Sequence, residues 1–169
     1  MGVCASGKST IGINLAVRLN AKFIDADDLH PEKNILKMTS GQPLDDDDRF
    51  PWLERVREAA SYAVNNNEVC FIACSALKKI YRDQIRNGNE DTIFIYLEGS
   101  QETITSRMEK RQNHFMKSNM VTSQFDALQS PIDEANVLVI NIELGQDDII
   151  EQAISGLSSY GIDMPETAA

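Results

Sequence analysis

Apolar positions fall in two alternating rhythms along this chain. From Lys8 to Leu19 they recur at four-residue spacing, at Ile11, Leu15 and Leu19, which predicts an amphipathic helix. Between such segments lie short continuous apolar runs. These are Lys22 to Asp25, ending in acid, VCFIAC at Val69 to Cys74, TIFIYL at Thr92 to Leu97 and VLVINI at Val137 to Ile142. Runs of that kind, rich in β-branched and aromatic residues, read as strands buried on both faces. Pro31 opens a second helix at its first position and Gly41 closes it. Asp47 or Asp48 caps a longer helix through Trp52, Val56, Ala60 and Val64, ended by Asn65-Asn66-Asn67. Further helices follow over Leu77 to Arg86, Gln101 to Arg111 and Asp147 to Leu157, and the tail from Gly161 frays.

Strands alternating with helices imply an α/β fold, a parallel sheet with helices on both faces. No repeat or low-complexity linker interrupts the pattern, so residues 1–169 read as one domain.

One motif gives that scaffold a chemistry. Gly2-Val3-Cys4-Ala5-Ser6-Gly7-Lys8-Ser9 fits G-x-x-x-x-G-K-[ST] and opens the first helix. Glycines let the backbone curl so that successive N–H groups face phosphate oxygens, and the helix adds its positive end. The expected nucleotide-binding residues are Gly2, Val3, Cys4, Ala5, Ser6, Gly7, Lys8, Ser9 and Thr10. Lys8 reaches the β- and γ-phosphates of ATP, and the Ser9 hydroxyl ligates Mg²⁺. An ordinary glycine turn would not also head an α/β pattern.

Asp25, Asp27 and Asp28 follow the apolar Phe23-Ile24, at a strand's carboxyl end, where ligands sit in open α/β sheets. One acid can accept the proton of an attacking hydroxyl and another can hold Mg²⁺. Asp27 is chosen as the proton acceptor and Asp25 as the metal-side acid, because strand alternation puts both on one side. The bland reading is a solvated acidic turn. His30, beside Pro31, reads equally as a turn residue or a ligand. Asp45 to Asp48 reads as a solvated helix start, since four adjacent acids cannot converge on one ion; Arg49 after it is an anion donor.

Two cation clusters stand out: Lys78, Lys79 and Arg82 after VCFIAC, and Arg107, Lys110 and Arg111 after TIFIYL. Each alone reads as a solvated helix face. Beside a phosphate loop, Arg107 and Arg111, four apart on one face, are candidates to neutralise charge on a transferred phosphoryl group. A lid is expected at about 107–131, its QNHFMKSNMVTSQFDALQSP stretch suited to closing over ATP; a plain connecting helix is the alternative.

Charge narrows the classes. With 16 basic and 26 acidic residues the formal charge is -10, which disfavours a nucleic-acid or membrane-surface binder but not a local anion pocket. No apolar run approaches the ~20 residues of a membrane span. The three cysteines, Cys4, Cys70 and Cys74, include no CxxC pair and read as reduced thiols of a cytoplasmic protein.

The stretches GVCASGKST, FIDADDLHPEKNILKMTSGQPLDDDDRFPWL, CSALKKIYRDQIR, SRMEKRQNHF and SQFDALQSP together resemble the gluconokinases, P-loop enzymes of the nucleoside-monophosphate-kinase-like class. The resemblance runs from Gly2 to about Ile142. It implies transfer from ATP to D-gluconate, giving 6-phospho-D-gluconate and ADP, with Mg²⁺, in a homodimer. A sugar acid has a carboxylate for Arg49, Lys78, Lys79 or Arg82, and hydroxyls for His30 and Asp27. Three positions depart from the family: Cys4 and Ala5 replace serine and glycine, and Ala26 replaces a glycine. Ala5 in a left-handed conformation would cost about 1 kcal/mol. Relatives also carry a strand before the loop, where only Met1 precedes Gly2. The expectation is a sheet lacking its middle strand, less stable and poorly active. A shikimate kinase is the alternative within the class, although its glycine triplet is replaced by CSALKK. A nucleotide-binding protein without catalysis is the alternative outside it.

Overall fold

The computed structural model describes residues 1–110 and 118–163. Helix α1 (Lys8–Arg18) starts from Gly7, whose φ of 98° lets the loop turn into the helix. It is followed by β1 (Lys22–Asp25), a 3₁₀ turn (Ala26–Leu29), α2 (Glu32–Thr39), α3 (Asp46–Asn65) and β2 (Cys70–Ala73). Then come α4 (Lys79–Arg86), β3 (Phe94–Glu98), α5 (Gln101–Lys110), α6 (Ser118–Ala127), β4 (Val137–Asn141) and α7 (Gln146–Ser158).

All strand pairing is parallel. β1 pairs with β2, Asp25 opposite Ala73, and β3 pairs with β4, Glu98 opposite Asn141. Neighbouring strand residues feed different cores, as pleating requires. Phe71, Ile95 and Leu97 join α1 and α7 through Leu15, Ile150 and Leu157. Ile72, Phe94 and Tyr96 join α3 and α4 through Trp52, Leu53, Val56 and Ile85. Helices therefore cover both faces. Among the described helices none is long and apolar enough to cross a membrane.

β2 and β3 do not pair with each other. Met1 stands between them: its carbonyl accepts the Leu97 N–H at 3.0 Å, and the Gly2 N–H donates to Ser75 O at 3.2 Å. The Met1 amine donates to Ile95 O. Behind Met1 a cavity of about 310 Å³ separates the two half-sheets, lined by Cys70, Ile72, Ile93 and Ile95 among others.

Helix starts differ from the sequence expectation: Pro31 is the N-cap of α2 rather than its first residue, and α7 begins at Gln146 rather than Asp147. Asp45, not Asp47 or Asp48, caps α3: Asp45 Oδ1 accepts the Asp48 N–H at 2.9 Å, and Asp48 Oδ2 accepts the Asp45 N–H at 3.2 Å. Lys37 pairs with both carboxylates, a tertiary choice among equivalent acids. α4 begins at Lys79 rather than Leu77, because Ala76 is left-handed (φ 44°) and the Ala76 and Leu77 carbonyls serve Arg82.

Burial, and then nearby Lys8, push the Met1 amine down to about 5 from the ordinary 8.0. As pH falls from 8 towards 5 the unfolded chain takes up a proton that the folded chain refuses, so stability drops across that window. A variant with about 5–6 further apolar residues directly before Met1 is expected to melt higher. If the added residues enter the cavity they cover its lining and remove the buried amine, and the advantage should then grow as pH falls from 8 to about 6. Thermal melts of the two chains at both pH values check this; equal melting would contradict it.

Candidate active site

The phosphate loop is built as its spacing requires. Gly2 has φ 139°, and a Cβ there would stand 2.9 Å from Leu97 O, so the close approach to β3 needs glycine. Ala5 adopts φ 56°, the left-handed conformation in which its Cβ is a strain. Lys8 Nζ donates to Val3 O at 2.9 Å, which folds the side chain over its own loop. Burial lowers the Lys8 pKa, while Cys4, Asp27 and Asp25 work the other way. The Cys4 N–H donates to Gln124 Oε1 at 2.6 Å, tying the loop to α6.

A polar cavity of about 250 Å³ opens over this loop, and Lys8, Ser9, Thr10, Asp25 and Asp27 all line it. Ser9 Oγ donates to Asp25 Oδ2 at 2.8 Å, bringing hydroxyl and carboxylate together as hard oxygen donors. Asp25 Oδ1 accepts the Asp27 N–H at 3.1 Å. Asp27 thus shares the cavity with Asp25 through the 3₁₀ turn, not through the strand alternation that the sequence suggested. Its carboxyl is raised above the ordinary 3.8, by partial burial first and Asp25 second; His30 and Lys8 oppose the rise. Asp27 keeps an exposed face towards the cavity mouth, so the rise is tempered by solvent.

Beyond Asp27 stand the other predicted residues. His30 is buried, stacked on Trp52 at 4.3 Å and 15°, and its Nδ1 lies 3.3 Å from Asn34 Nδ2. Trp52 is itself fixed by its Nε1 donating to Ala26 O at 2.6 Å. Arg49 lies 5.9 Å from the Tyr81 ring centre, and its guanidinium has no hydrogen bond or ion pair to the described residues. Lys78 Nζ is held by Asp46 at 2.6 and 2.8 Å, and Tyr81 donates to the same carboxylate at 2.5 Å.

The remaining cations fall elsewhere. Lys79 is exposed and pairs with Asp83 at 2.7 Å. Arg82 is fully buried with all five N–H groups used: Ala76 O and Leu77 O at 2.9 Å, Gln129 O at 2.9 Å, and Glu134 at 2.5–3.1 Å. Its expected place as a substrate ligand is therefore corrected. It has no donor left and instead ties α4 to the segment after α6. Arg107 donates to Ile142 O at 2.5 Å, and Met108, not Arg107, is the α5 residue lining the cavity. Arg111 lies outside the described residues, as does 111–117 of the expected lid. Sequence reasoning missed Asn34, Asp46, Trp52, Tyr81 and Gln124. Spacing from His30 (i+4) could have suggested Asn34; nothing local marks the others.

A phosphate loop opening α1, a lysine folded over it, and a hydroxyl and acids converging on one polar cavity define a P-loop kinase. Residues 4–157 match the shikimate kinase family model. The fold also resembles the Aquifex aeolicus shikimate kinase, at TM-score 0.59 and 14% identity, over 95% of each chain. Closer matches carry another name. The chain is 47% identical over 155 residues to the thermoresistant gluconokinase of Escherichia coli K12, spanning 91% of this chain and 89% of that one. Identity to the Gluconobacter oxydans gluconokinase is 36% over 154 residues, 91% and 86% of the two chains. The crystal structure of a Sinorhizobium meliloti gluconokinase superposes with TM-score 0.85 at 38% identity, over 94% of this chain and 89% of that one. The chain belongs to the gluconokinase family.

Arg82→Ala is expected to destabilise the fold by about 3 kcal/mol, since it leaves the Ala76 and Gln129 carbonyls without their donor, while Leu77 O keeps only the Gln129 N–H and Glu134 only Arg86. Arg82→Lys should rescue little, because an ammonium cannot replace the five-donor fork. Urea unfolding measures both. Unchanged stability with weakened acceptor binding would return Arg82 to the site.

Proposed function

We propose that the protein transfers the γ-phosphoryl group of ATP to D-gluconate, giving 6-phospho-D-gluconate and ADP. One observation supports the reading beyond family membership: the Arg49 guanidinium, which has no hydrogen bond or ion pair to the described residues, and Asp27, which lines the phosphate cavity, both act on the His30 ring. A polyhydroxy acid would match that order of groups, its carboxylate meeting Arg49 and its far hydroxyl meeting Asp27.

In this reading the loop N–H groups and Lys8 hold the β- and γ-phosphates and oppose their charge. Asp27 receives the proton of the terminal hydroxyl as that oxygen attacks the γ-phosphorus. The bond from phosphorus to the ADP oxygen breaks, and ADP leaves. His30 binds an acceptor hydroxyl, and Lys78, held by Asp46, adds positive charge beside Arg49. Arg107 and Arg111 are assigned to charge on the transferring group, a role supported by their four-residue spacing that requires Arg107 to leave Ile142 O.

Mg²⁺ fits the donor set, and Ser9 Oγ and the Asp25 carboxylate would hold it. Among the described residues there is no cluster of three or more acidic, histidine or cysteine ligands. That suits an ion which keeps waters and takes substrate phosphates as partners. When bound, it neutralises phosphate charge.

An ADP-release assay across gluconate, shikimate, neutral sugars and nucleoside monophosphates tests the substrate, with gluconate expected to dominate. The family model makes shikimate the second acceptor to try. Turnover of shikimate or a nucleotide with none on gluconate would overturn the reading. Lys8→Ala and Asp27→Asn should each lower turnover by at least about 100-fold. Lys8→Ala should also weaken ATP binding, whereas Asp27→Asn should leave it nearly intact; equal loss in both would remove Asp27 as the proton acceptor.

A further inference from the structure

We propose that Asn34 is a positioning residue that locks His30 as the neutral imidazole with its proton on Nε2. His30 then serves the acceptor site as a hydrogen-bond donor and never as a base. The acceptor-site role rests on the gluconate reading above; the tautomer does not.

Asn34 is completely buried, with its Nδ2 2.8 Å from Asp48 O. A carbonyl oxygen only accepts, so the amide nitrogen must face Asp48; a flipped amide would set two oxygens at that distance. One Nδ2 hydrogen is thereby committed. The other points at His30 Nδ1, 3.3 Å away. That ring nitrogen must offer a lone pair, and a neutral imidazole accepting at Nδ1 carries its proton on Nε2. Protonating the ring would set N–H against N–H.

Every other element packed on His30 bears on the same balance. Burial and Arg49, from α3, disfavour the imidazolium, while Asp27, from the 3₁₀ turn, favours it. Trp52, stacked on the ring, fixes its plane. Nε2 makes no hydrogen bond to the described residues, so its N–H remains for a ligand oxygen. Asp48 also belongs to the capping box that starts α3. Asn34 therefore ties the His30 ring to the helix turn that carries Arg49, and sets the spacing between two acceptor residues. With His30 unable to accept a proton at either nitrogen, proton removal falls to Asp27.

Nitrogen–proton correlation spectra of histidine-labelled full-length protein read the tautomer directly, without substrate. The chain has 2 histidines, and a His114→Gln variant assigns the signals. His30 should show a protonated Nε2 and a bare Nδ1 at about pH 7 to 8. A protonated Nδ1, or a charged ring at neutral pH, would overturn the proposal. Asn34→Asp supplies an acceptor in place of the donor, so Nδ1 should gain a proton and gluconate KM should rise about tenfold or more, with ATP KM little changed. An unchanged tautomer in that variant would overturn it too. Should Asn34→Asp fail to fold, His30→Gln, which keeps an N–H donor near Nε2, should retain at least about ten times the kcat/KM of His30→Glu, which only accepts. Equal loss in both would contradict a donor role. If wild type shows the Nε2 proton yet no gluconate turnover, the substrate reading fails and the Asn34 lock stands.

Discussion

A phosphate-binding loop turns its amides inward for an anion, and so gives up the backbone pairing that would otherwise hold it in shape. Its two ends must be pinned by something else. Here the leading end is pinned by three backbone bonds, through which Met1 reaches β3 and Gly2 reaches Ser75 just past β2. The trailing end is the first turn of α1, clamped to β1 by Ser9 and Asp25. Gly2 can sit against Leu97 O only because it lacks a Cβ. The placement of Lys8, the acids and the acceptor residues all follows from these fixings.

The same fixings set the electrostatics. Pulling Ser9 onto Asp25 and Asp27 onto the other Asp25 oxygen crowds two carboxylates into one cavity. Burial and that crowding raise Asp27, a shift in the direction a proton acceptor needs at neutral pH. Across the acceptor side, cations divide by how their charge is used. Lys78 is neutralised by Asp46 and Arg82 by Glu134, whereas Arg49, without a hydrogen bond or ion pair from its guanidinium to the described residues, faces the Tyr81 ring. A half-buried guanidinium so placed is what an incoming carboxylate can exploit.

Much of this was legible in the residues. The strand runs and α1 carry strong periodicity, and the loop motif sits where the alternation places a strand-to-helix turn. Other features were hidden for physical reasons. Asp45 through Asp48 are equivalent in pattern, and only Lys37, brought in by α2, selects the cap. Arg82 looks like Lys78 and Lys79 until packing buries it and assigns its donors to the Ala76, Leu77 and Gln129 carbonyls and to Glu134. Asn34 reads as a surface helix residue, yet it is buried against His30 and Asp48. Gln124 was one polar residue in an expected lid, and its contact with Cys4 depends on how α6 docks.

The central claim is an orientation: the acceptor's carboxylate at Arg49, its far hydroxyl at Asp27, and the γ-phosphate over Lys8 between the acids and the loop. Phosphorus–proton correlation spectra of the product formed from ATP and D-gluconate read the phosphorylated oxygen directly. The account predicts phosphate on the terminal C6 hydroxyl alone. Phosphate on a hydroxyl next to the carboxylate, or a mixture of positions, would contradict it.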